Sequence, residues 1–562
     1  MGMFRGRLKV TASLAALLCC AAASAQQAPQ QPATPQPGRD RPLPEAAPSP
    51  ELDFTIQAPR RSPVPRAVEE LTFDVKDVHF AGGTHYGPDV LRALAQPVIG
   101  QTVHLNDLIA IAEALEARYH ADGFVLTRVF VPTQSVNDGV FQITIVEGYV
   151  SAVAVQGGDQ ETRDRVERLM APILRTRPLT LATLESCLLT ANKLPGTAAA
   201  GLLRPSATEP GASELVVSLR DAPIASGGLA ADNMGSASTG RWTIAGDATV
   251  ASPFGDGGQL GVNASVNPVD PHARYSAGGR YVAPLPFLDG ATYTLSALGS
   301  HGEPGGTVSA LELVTNSTAF GARVTVPLLV SRTEEVSVDG GITVQSSDVK
   351  AFGETASHDE WRVFDLALTY RNNVWANGVT SVTLDLAEGL PGLGATGSPQ
   401  EGLHTGVSNF SKVTGQANRT QPIADALSAN LLVTGQYVNL RPVLGEEVNF
   451  GGQLVGRGYD PGALTGDMGV GAAFELRYDL TPSWFYADAA QIFSFVDGGE
   501  IWNHNGATPT SNQIASAGAG LRLTMPENVQ LNAFYGKALV AVPGNDENKR
   551  SSRVMVYTSI RF

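Results

Sequence analysis

Hydrophobic and polar positions change their period twice along this chain of 562 residues. Residues 71–80 alternate as a strand does, and a short helical stretch follows over 88–97. Asn106 is placed to cap a second helix reaching residue 121, with Leu108, Ile109, Ala112, Leu115 and Tyr119 at helical spacing. After a turn at Asp122-Gly123, residues 124–131 and 139–146 read as two strands. The order β-α-α-β-β then recurs: a strand over 150–156, helices over 161–174 and 181–193, and strands over 197–204 and 213–220. Two tandem copies of one unit are a stronger signal than either alone.

From Ile224 onward the helical period is lost. Short alternating segments, separated by Gly, Asn, Asp and Pro clusters, divide the remainder into about sixteen strands. In one of them Phe474, Leu476, Tyr478 and Leu480 share a face, while Glu475, Arg477 and Asp479 share the other. The last sets Val554, Val556, Thr558, Ile560 and Phe562 against Arg553, Met555, Tyr557, Ser559 and Arg561. Phe364, Leu366, Leu368 and Tyr370 form a further apolar row. A soluble sandwich also alternates, but one of this length breaks into domains with visible linkers, and none is visible. An apolar band outside a polar lumen is what a membrane barrel requires, because a closed sheet leaves no backbone group unpaired in lipid. The terminal aromatic Phe562 fits that reading. The expected fold is therefore an all-β, sixteen-stranded antiparallel transmembrane barrel (223–562) behind two α+β domains (70–148 and 149–222).

One stretch breaks the alternation. Residues 451–469, GGQLVGRGYDPGALTGDMG, hold too many glycines for a strand or helix and lie between two alternating runs, so they form one long loop. At its centre Arg457 stands between Gly456 and Gly458, followed by Tyr459. A loop this long is functional or disordered, and an ordered one needs a partner for its cation. Asp497, in the stretch Phe493-Ser-Phe-Val-Asp-Gly-Gly499, is the candidate. The residues alone favour a solvated Arg457 and a turn-forming Asp497 over the pair.

Composition narrows the function. Sixty glycines and only 17% charged residues suit a β-rich chain with many tight turns. A formal net charge of -15 argues against nucleic acid as a partner. Arg5, Arg7 and Lys9, the apolar run from Val10 to Leu18, and Ala23-Ser24-Ala25 read as a secretory signal peptide over 1–25, with the mature chain starting at Gln26. Cleavage there removes Cys19 and Cys20 and leaves Cys187, which reads as a small core residue of an amphipathic helix. No uncharged apolar run of about 18 residues follows, so a helical anchor is excluded. Residues 26–69, rich in Pro, Gln and Ala, read as an extended or mobile lead.

Enzymatic signals are poor. Gly392-Leu-Gly-Ala-Thr-Gly397 spells a dinucleotide fingerprint but opens no helix, so it reads as a turn. His79, His85, His104 and His120 show no metal-ligand spacing, and no nucleophile elbow or phosphate loop occurs. No enzyme, metal or cofactor is implied.

Taken in order, these motifs resemble the outer-membrane transporters of two-partner secretion, the haemolysin secretion and activation family. Gly456-Arg457-Gly458-Tyr459 is similar to the family's V-R-G-Y loop motif, with Gly where Val is commoner. Phe495, Asp497 and Gly499 match its F-x-D-x-G motif. Asp232-Asn233-Met234-Gly235 with Thr239-Gly240 looks like the opening barrel strand and turn, and the lead from Phe54 to Pro63 is also similar. The resemblance implies two polypeptide-transport-associated (POTRA) domains in the periplasm and a loop folded into the lumen, with Arg457 paired to Asp497. The implied partner is a secreted, haemolysin- or adhesin-like exoprotein with an N-terminal secretion domain, exported through a monomeric barrel held in outer-membrane lipid. Client grooves are expected beside the strands carrying Phe124, Val125 and Leu126 and carrying Leu215 and Val217, by strand addition. Some members carry a pore-plugging N-terminal helix, which the prolines of 26–69 do not predict. A barrel- or autotransporter-assembly factor and a passive porin are the alternatives; the first usually carries more than two periplasmic repeats, and the second has no use for any.

Overall fold

In the computed structural model, described for residues 54–56, 72–136, 138–206, 208–209, 211–220, 224–392, 394–396, 406–481, 487–504, 510–542 and 552–562, sixteen antiparallel strands close into a barrel behind two small α+β units. The expected signal peptide and all of the 26–69 lead except β1 (Phe54–Ile56) lie outside the described residues.

The first unit comprises β2 (Thr72–Asp74), β3 (Asp77–Ala81), α1 (Pro88–Ala95), β4 (Thr102–His104), α2 (Leu105–Ala121), β5 (Arg128–Phe130) and β6 (Val140–Val146). The single strand expected over 71–80 is divided, because Val75 N–H bonds the Gln101 carbonyl and Lys76 N–H that of Gly139, carrying the chain from one sheet to another. The cap of α2 falls at His104 rather than Asn106: the Asp107 carboxylate reaches back to the His104 N–H at 2.8 Å. The strand expected over 124–131 is reduced to β5, since Phe124 to Thr127 close a turn through Thr127 N–H and the Phe124 carbonyl. Leu108, Leu115, Tyr119, Phe141 and Ile143 fill the core.

The second unit comprises β7 (Tyr149–Gln156), α3 (Gln160–Leu169), α4 (Ala171–Arg175), α5 (Leu181–Asn192), β8 (Ala199–Pro205) and β9 (Ala212–Leu219). The helix expected over 161–174 breaks at Met170, where Pro172 offers no N–H to continue the ladder. Val166, Met170, Ile173, Leu184, Leu188, Leu215 and Val217 form its core, and Cys187 is buried among them. Both units place their last strand centrally, parallel to the first and antiparallel to the middle one: β3-β6-β5 and β7-β9-β8. The second sheet has an extra member. β1 lies parallel to the outer edge of β8, with Phe54 and Ile56 packed on the core, so this part of the lead is a sheet strand rather than a free linker.

The barrel strands are β10 (Ala225–Asp232), β11 (Thr243–Ala251), β12 (Gln259–Val266), β13 (Arg274–Pro284), β14 (Thr292–Gly302), β15 (Val314–Val330), β16 (Glu334–Ala351), β17 (Glu354–Asn372), β18 (Val379–Gly389), β19 (Ser411–Ala424) and β20 (Leu427–Val438). A small hairpin, β21 (Val448–Phe450) with β22 (Leu464–Gly466), stands apart inside the next connection. The ring then continues through β23 (Met468–Leu480), β24 (Ala489–Asn503), β25 (Thr510–Met525), β26 (Val529–Ala538) and β27 (Ser552–Arg561), and β27 pairs with β10 to close it. Every neighbour is antiparallel and consecutive in the ring, so no open edge is left.

Burial is inverted relative to a water-soluble fold. On β23 Phe474 is 44% exposed, whereas its neighbour Glu475 is 4% exposed. Phe364, Leu366 and Leu368 on β17 likewise face outward, while Asp365 is buried inside. The alternation thus sets apolar groups toward the surroundings and charges toward the lumen, as lipid demands.

The second unit sits against one barrel mouth. Val330 joins its core, Arg168 meets Asp289 at 3.2 Å, Glu185 meets Arg332 at 3.4 Å, and Lys193 pairs with Glu335. These barrel residues lie at the β13–β14 and β15–β16 turns, which mark the periplasmic end. Counting hairpins from there puts the β20–β23 connection, residues 439–467, at the opposite, cell-surface end.

Candidate functional site in the barrel lumen

The β20–β23 connection folds inward instead of projecting. Gly456 adopts φ +87°, a conformation that side chains rarely take. Gly458 has another reason to lack a side chain: a Cβ there would stand 2.6 Å from Ala538 N and Lys537 C, so the loop tip lies against the main chain of β26. Between them the Arg457 side chain turns to the wall.

Arg457 Nε donates to Asp497 Oδ2 at 2.9 Å, and Nη1 donates to Glu475 Oε2 at 2.7 Å. Asp497 also accepts the Gly456 N–H at 2.9 Å and the Ser516 hydroxyl, while Ser516 accepts the Gly458 N–H at 3.1 Å. Glu475 accepts in addition from Arg477 Nε and Arg522 Nη1, each at 2.7 Å. The Arg457 guanidinium carbon lies 3.7 Å from the Phe495 ring centroid, and that of Arg522 lies 4.0 Å from Phe493. Two carboxylates and three arginines thus form one network against an aromatic floor, where shielding from bulk water strengthens each contact.

Tyr459 is fully buried, its hydroxyl 2.6 Å from the Val540 carbonyl and 2.9 Å from that of Ala515. Arg553 on the last strand donates to the Tyr459 carbonyl at 2.8 Å and to the Gly235 carbonyl at 3.0 Å. Asp460 joins the same seam, meeting Arg553 at 2.9 Å and Arg241 at 3.0 Å. The loop tip is therefore bound to the last strand, β27, and to the β10–β11 connection. Behind it the Phe450 ring fills the space left by Gly499 and Gly471, where a Cβ would come within 2.8 Å of it. That gives Gly499, beside Asp497, a packing reason to be glycine.

A second anchor holds the loop's start. Glu446, buried, pairs with Lys412 and accepts from Trp361 Nε1 at 3.1 Å and Gln345 Nε2 at 3.2 Å. Gln436 fixes the Glu446 carbonyl at 2.8 Å.

Sequence reading placed Glu475 and Arg553 on polar faces but gave them no partner, and it passed over Ser516, Asp460, Glu446 and Lys412. Strand parity carried part of the signal: β23 and β24 set Ala473 opposite Asp497 and Glu475 opposite Phe495, so all four share the lumen face. The remaining pairs depend on how the loop lies and leave no local trace.

The apolar residues named beside the expected client grooves lie in cores and in a turn rather than along an open strand edge. Leu215 and Val217 are buried core residues of β9, a strand paired on both sides, so it offers no edge to an incoming chain. Phe124 packs in the first unit's core, Leu126 packs against the second unit's core, and Val125 is half-buried beside them in the same turn. Among the described residues, the middle strand that keeps an unpaired outer edge is β5.

Comparison with known proteins agrees with this geometry. Residues 73–148 match the ShlB-type POTRA domain. The chain is 28% identical to the hemolysin transporter protein HpmB of Proteus mirabilis over 43% of its own length and 42% of that protein's. It is 22% identical to the heme/hemopexin transporter protein HuxB of Haemophilus influenzae over 88% of each. Among solved structures, CdiB from Escherichia coli superposes with a TM-score of 0.68 at 20% identity, covering 89% of this chain and 93% of that one, a likeness of fold. Residues 211–523, more than half the chain, match the haemolysin secretion/activation proteins ShlB/FhaC/HecB, and with barrel and POTRA domain in place the chain belongs to that family.

Proposed function

We propose that this outer-membrane protein is the transporter of a two-partner secretion pair: its periplasmic units capture an unfolded exoprotein and pass it through the lumen to the cell surface. The observation that carries this reading is a loop folded into the lumen and held there through Arg457, with the second α+β unit docked at the periplasmic mouth. Such a lumen is closed by a segment that can move, whereas a diffusion porin has no reason for receptor units. Support for a haemolysin-like client comes from relatives named as hemolysin and heme/hemopexin transporters. The apolar outer band suits a single barrel held in outer-membrane lipid. Client folding outside the cell supplies the driving force, because a folded chain cannot re-enter. Arg457 and its two carboxylates hold the closed position, and an arriving client shifts the loop away from them.

The test is export of the exoprotein encoded beside this chain, in cells lacking any other transporter for it. Wild-type chain is expected to restore export and a chain lacking residues 72–220 to abolish it at equal barrel levels. Export that survives this deletion overturns the reading.

A further inference from the structure

On β19 an arginine interrupts the apolar outer face of the barrel. The register of β18 with β19 sets Thr380, Val382, Leu384 and Leu386 opposite Arg419, Ala417, Gly415 and Val413, all on one side of the sheet. Val382, Leu384, Leu386 and Val413 are 38–48% exposed, as lipid-facing groups are, so Arg419 is on the outer face with them. Its depth is fixed by the β17–β18 connection, residues 373–378. Asn373 N–H donates to the Thr333 carbonyl at 3.0 Å and its side chain donates to that of Arg332 at 2.8 Å, which places the connection beside the β15–β16 turn at the periplasmic end.

That connection is built around the guanidinium. Arg419 Nη2 donates to the Trp375 carbonyl at 2.9 Å and to Gln421 Oε1, Nη1 donates to Thr380 Oγ1 at 2.6 Å, and the guanidinium carbon lies 4.5 Å from the Trp375 ring centroid. Gln421 Nε2 donates in turn to the Ala376 carbonyl at 2.8 Å. Ala376 and Asn377 take left-handed conformations, φ +50° and +57°, an uncommon arrangement for residues with side chains. Gly378 has an ordinary φ of -111°, but a Cβ there would stand 2.7 Å from Nη2, so the glycine leaves room for the arginine. Every one of these partners is neutral. Among the described residues no carboxylate pairs with Arg419, and Nε–H and one N–H of Nη1 have no acceptor.

We propose that Arg419, Thr380 and Trp375 form a phosphate-binding site for an anionic glycerophospholipid of the periplasmic leaflet. An arginine presents paired donors that match phosphate oxygens, and a cation at the edge of a membrane draws the headgroups at its own depth. The surroundings suit the rest of such a molecule: Val374 and Trp375 are 52% and 68% exposed, and Leu431, paired with Arg419 across β19 and β20, is 46% exposed, so acyl chains have an apolar wall beside the phosphate. The headgroup must carry net negative charge, because no carboxylate stands by to receive the ammonium of a zwitterionic one. The site depends on the barrel and not on the transporter reading.

The test is native mass spectrometry of the full-length protein released from detergent micelles, titrated with phosphatidylglycerol, with phosphatidylethanolamine of the same chains, and with inorganic phosphate. Wild type is expected to hold one phosphatidylglycerol about tenfold more tightly than Arg419→Gln does, the worth of one charge-assisted contact. Phosphatidylethanolamine binds more weakly, and inorganic phosphate does not displace the lipid. Trp375→Ala changes an exposed turn residue and keeps the charge, and it also weakens phosphatidylglycerol binding. Lys350→Gln removes an exposed cation at the other end of the barrel and leaves binding unchanged. Heat-modifiable migration checks that each variant retains its barrel; if Arg419→Gln does not, Trp375→Ala carries the comparison. Wild-type affinity in both Arg419→Gln and Trp375→Ala, displacement by inorganic phosphate at equal concentration, or no preference over phosphatidylethanolamine overturns the proposal. Because the readout is lipid binding and not export, this failure is distinct from failure of the transporter reading.

Discussion

Nη1 of Arg457 lies 2.7 Å from Oε2 of Glu475, a carboxylate on the strand next to the one that carries Asp497. The loop cation therefore bridges two wall strands. Arg457→Ala leaves Asp497 buried with its charge partner gone, while Glu475 keeps Arg477 and Arg522, and loss of one partner of a buried pair costs about 3–5 kcal/mol. We expect larger and noisier conductance in planar bilayers, together with proteolysis near residue 457 that wild type resists. Arg457→Lys should rescue little, because one ammonium cannot present two fixed donors to two carboxylates. Wild-type conductance in Arg457→Ala would show that the network does not hold the loop.

Gly458→Val tests the loop tip without touching charge. The atoms it would strike are main chain of β26 and cannot yield as a side-chain end would, so overpacking of about 1–3 kcal/mol is expected to push the tip from the wall. Gly299→Ala, which meets nothing within 4 Å, is the control and should behave as wild type in the same bilayer and protease assays.

The Glu446 anchor should act independently of the tip. Lys412→Met with Glu446→Gln removes both charges, whereas Lys412→Met alone strands a buried carboxylate. The single change is expected to lower the temperature of heat-modifiable unfolding more than the double, with a coupling energy on the order of 1–3 kcal/mol. Strict additivity would show that the two side chains do not interact.

Glu147 gives the first α+β unit a dependence on pH. Burial raises its carboxyl, but the Thr84 hydroxyl and N–H, the His85 N–H and the Tyr119 hydroxyl donate to it and hold it below the ordinary value. A depressed carboxylate contributes stability that is present above its unfolded pKa, about 4.3, and is lost as pH falls through the folded one. Melting of the α+β units in the intact chain should thus drop below about pH 4, and Glu147→Gln should melt lower at pH 7 and show a smaller drop.

Burial pushes the Cys187 thiol up to about 11, so the native protein at pH 8 should resist iodoacetamide and react only after denaturation. Rapid labelling of the folded chain would mean that α5 opens readily.

Period-two segments and their punctuation were enough to expect about sixteen strands, because lipid outside and water inside impose a strict alternation on each strand separately. The repeat order β-α-α-β-β and the pair Arg457 and Asp497 were legible for similar reasons: each rests on local pattern or on a motif. Tertiary structure alone decided which carboxylate shares the arginine, that Glu446 meets Lys412 and Trp361, that β9 is paired on both sides, and that Phe54–Ile56 caps β8. Those contacts join segments whose register is set by barrel closure and loop path, and a one-residue slip would change every one of them while leaving the sequence pattern the same.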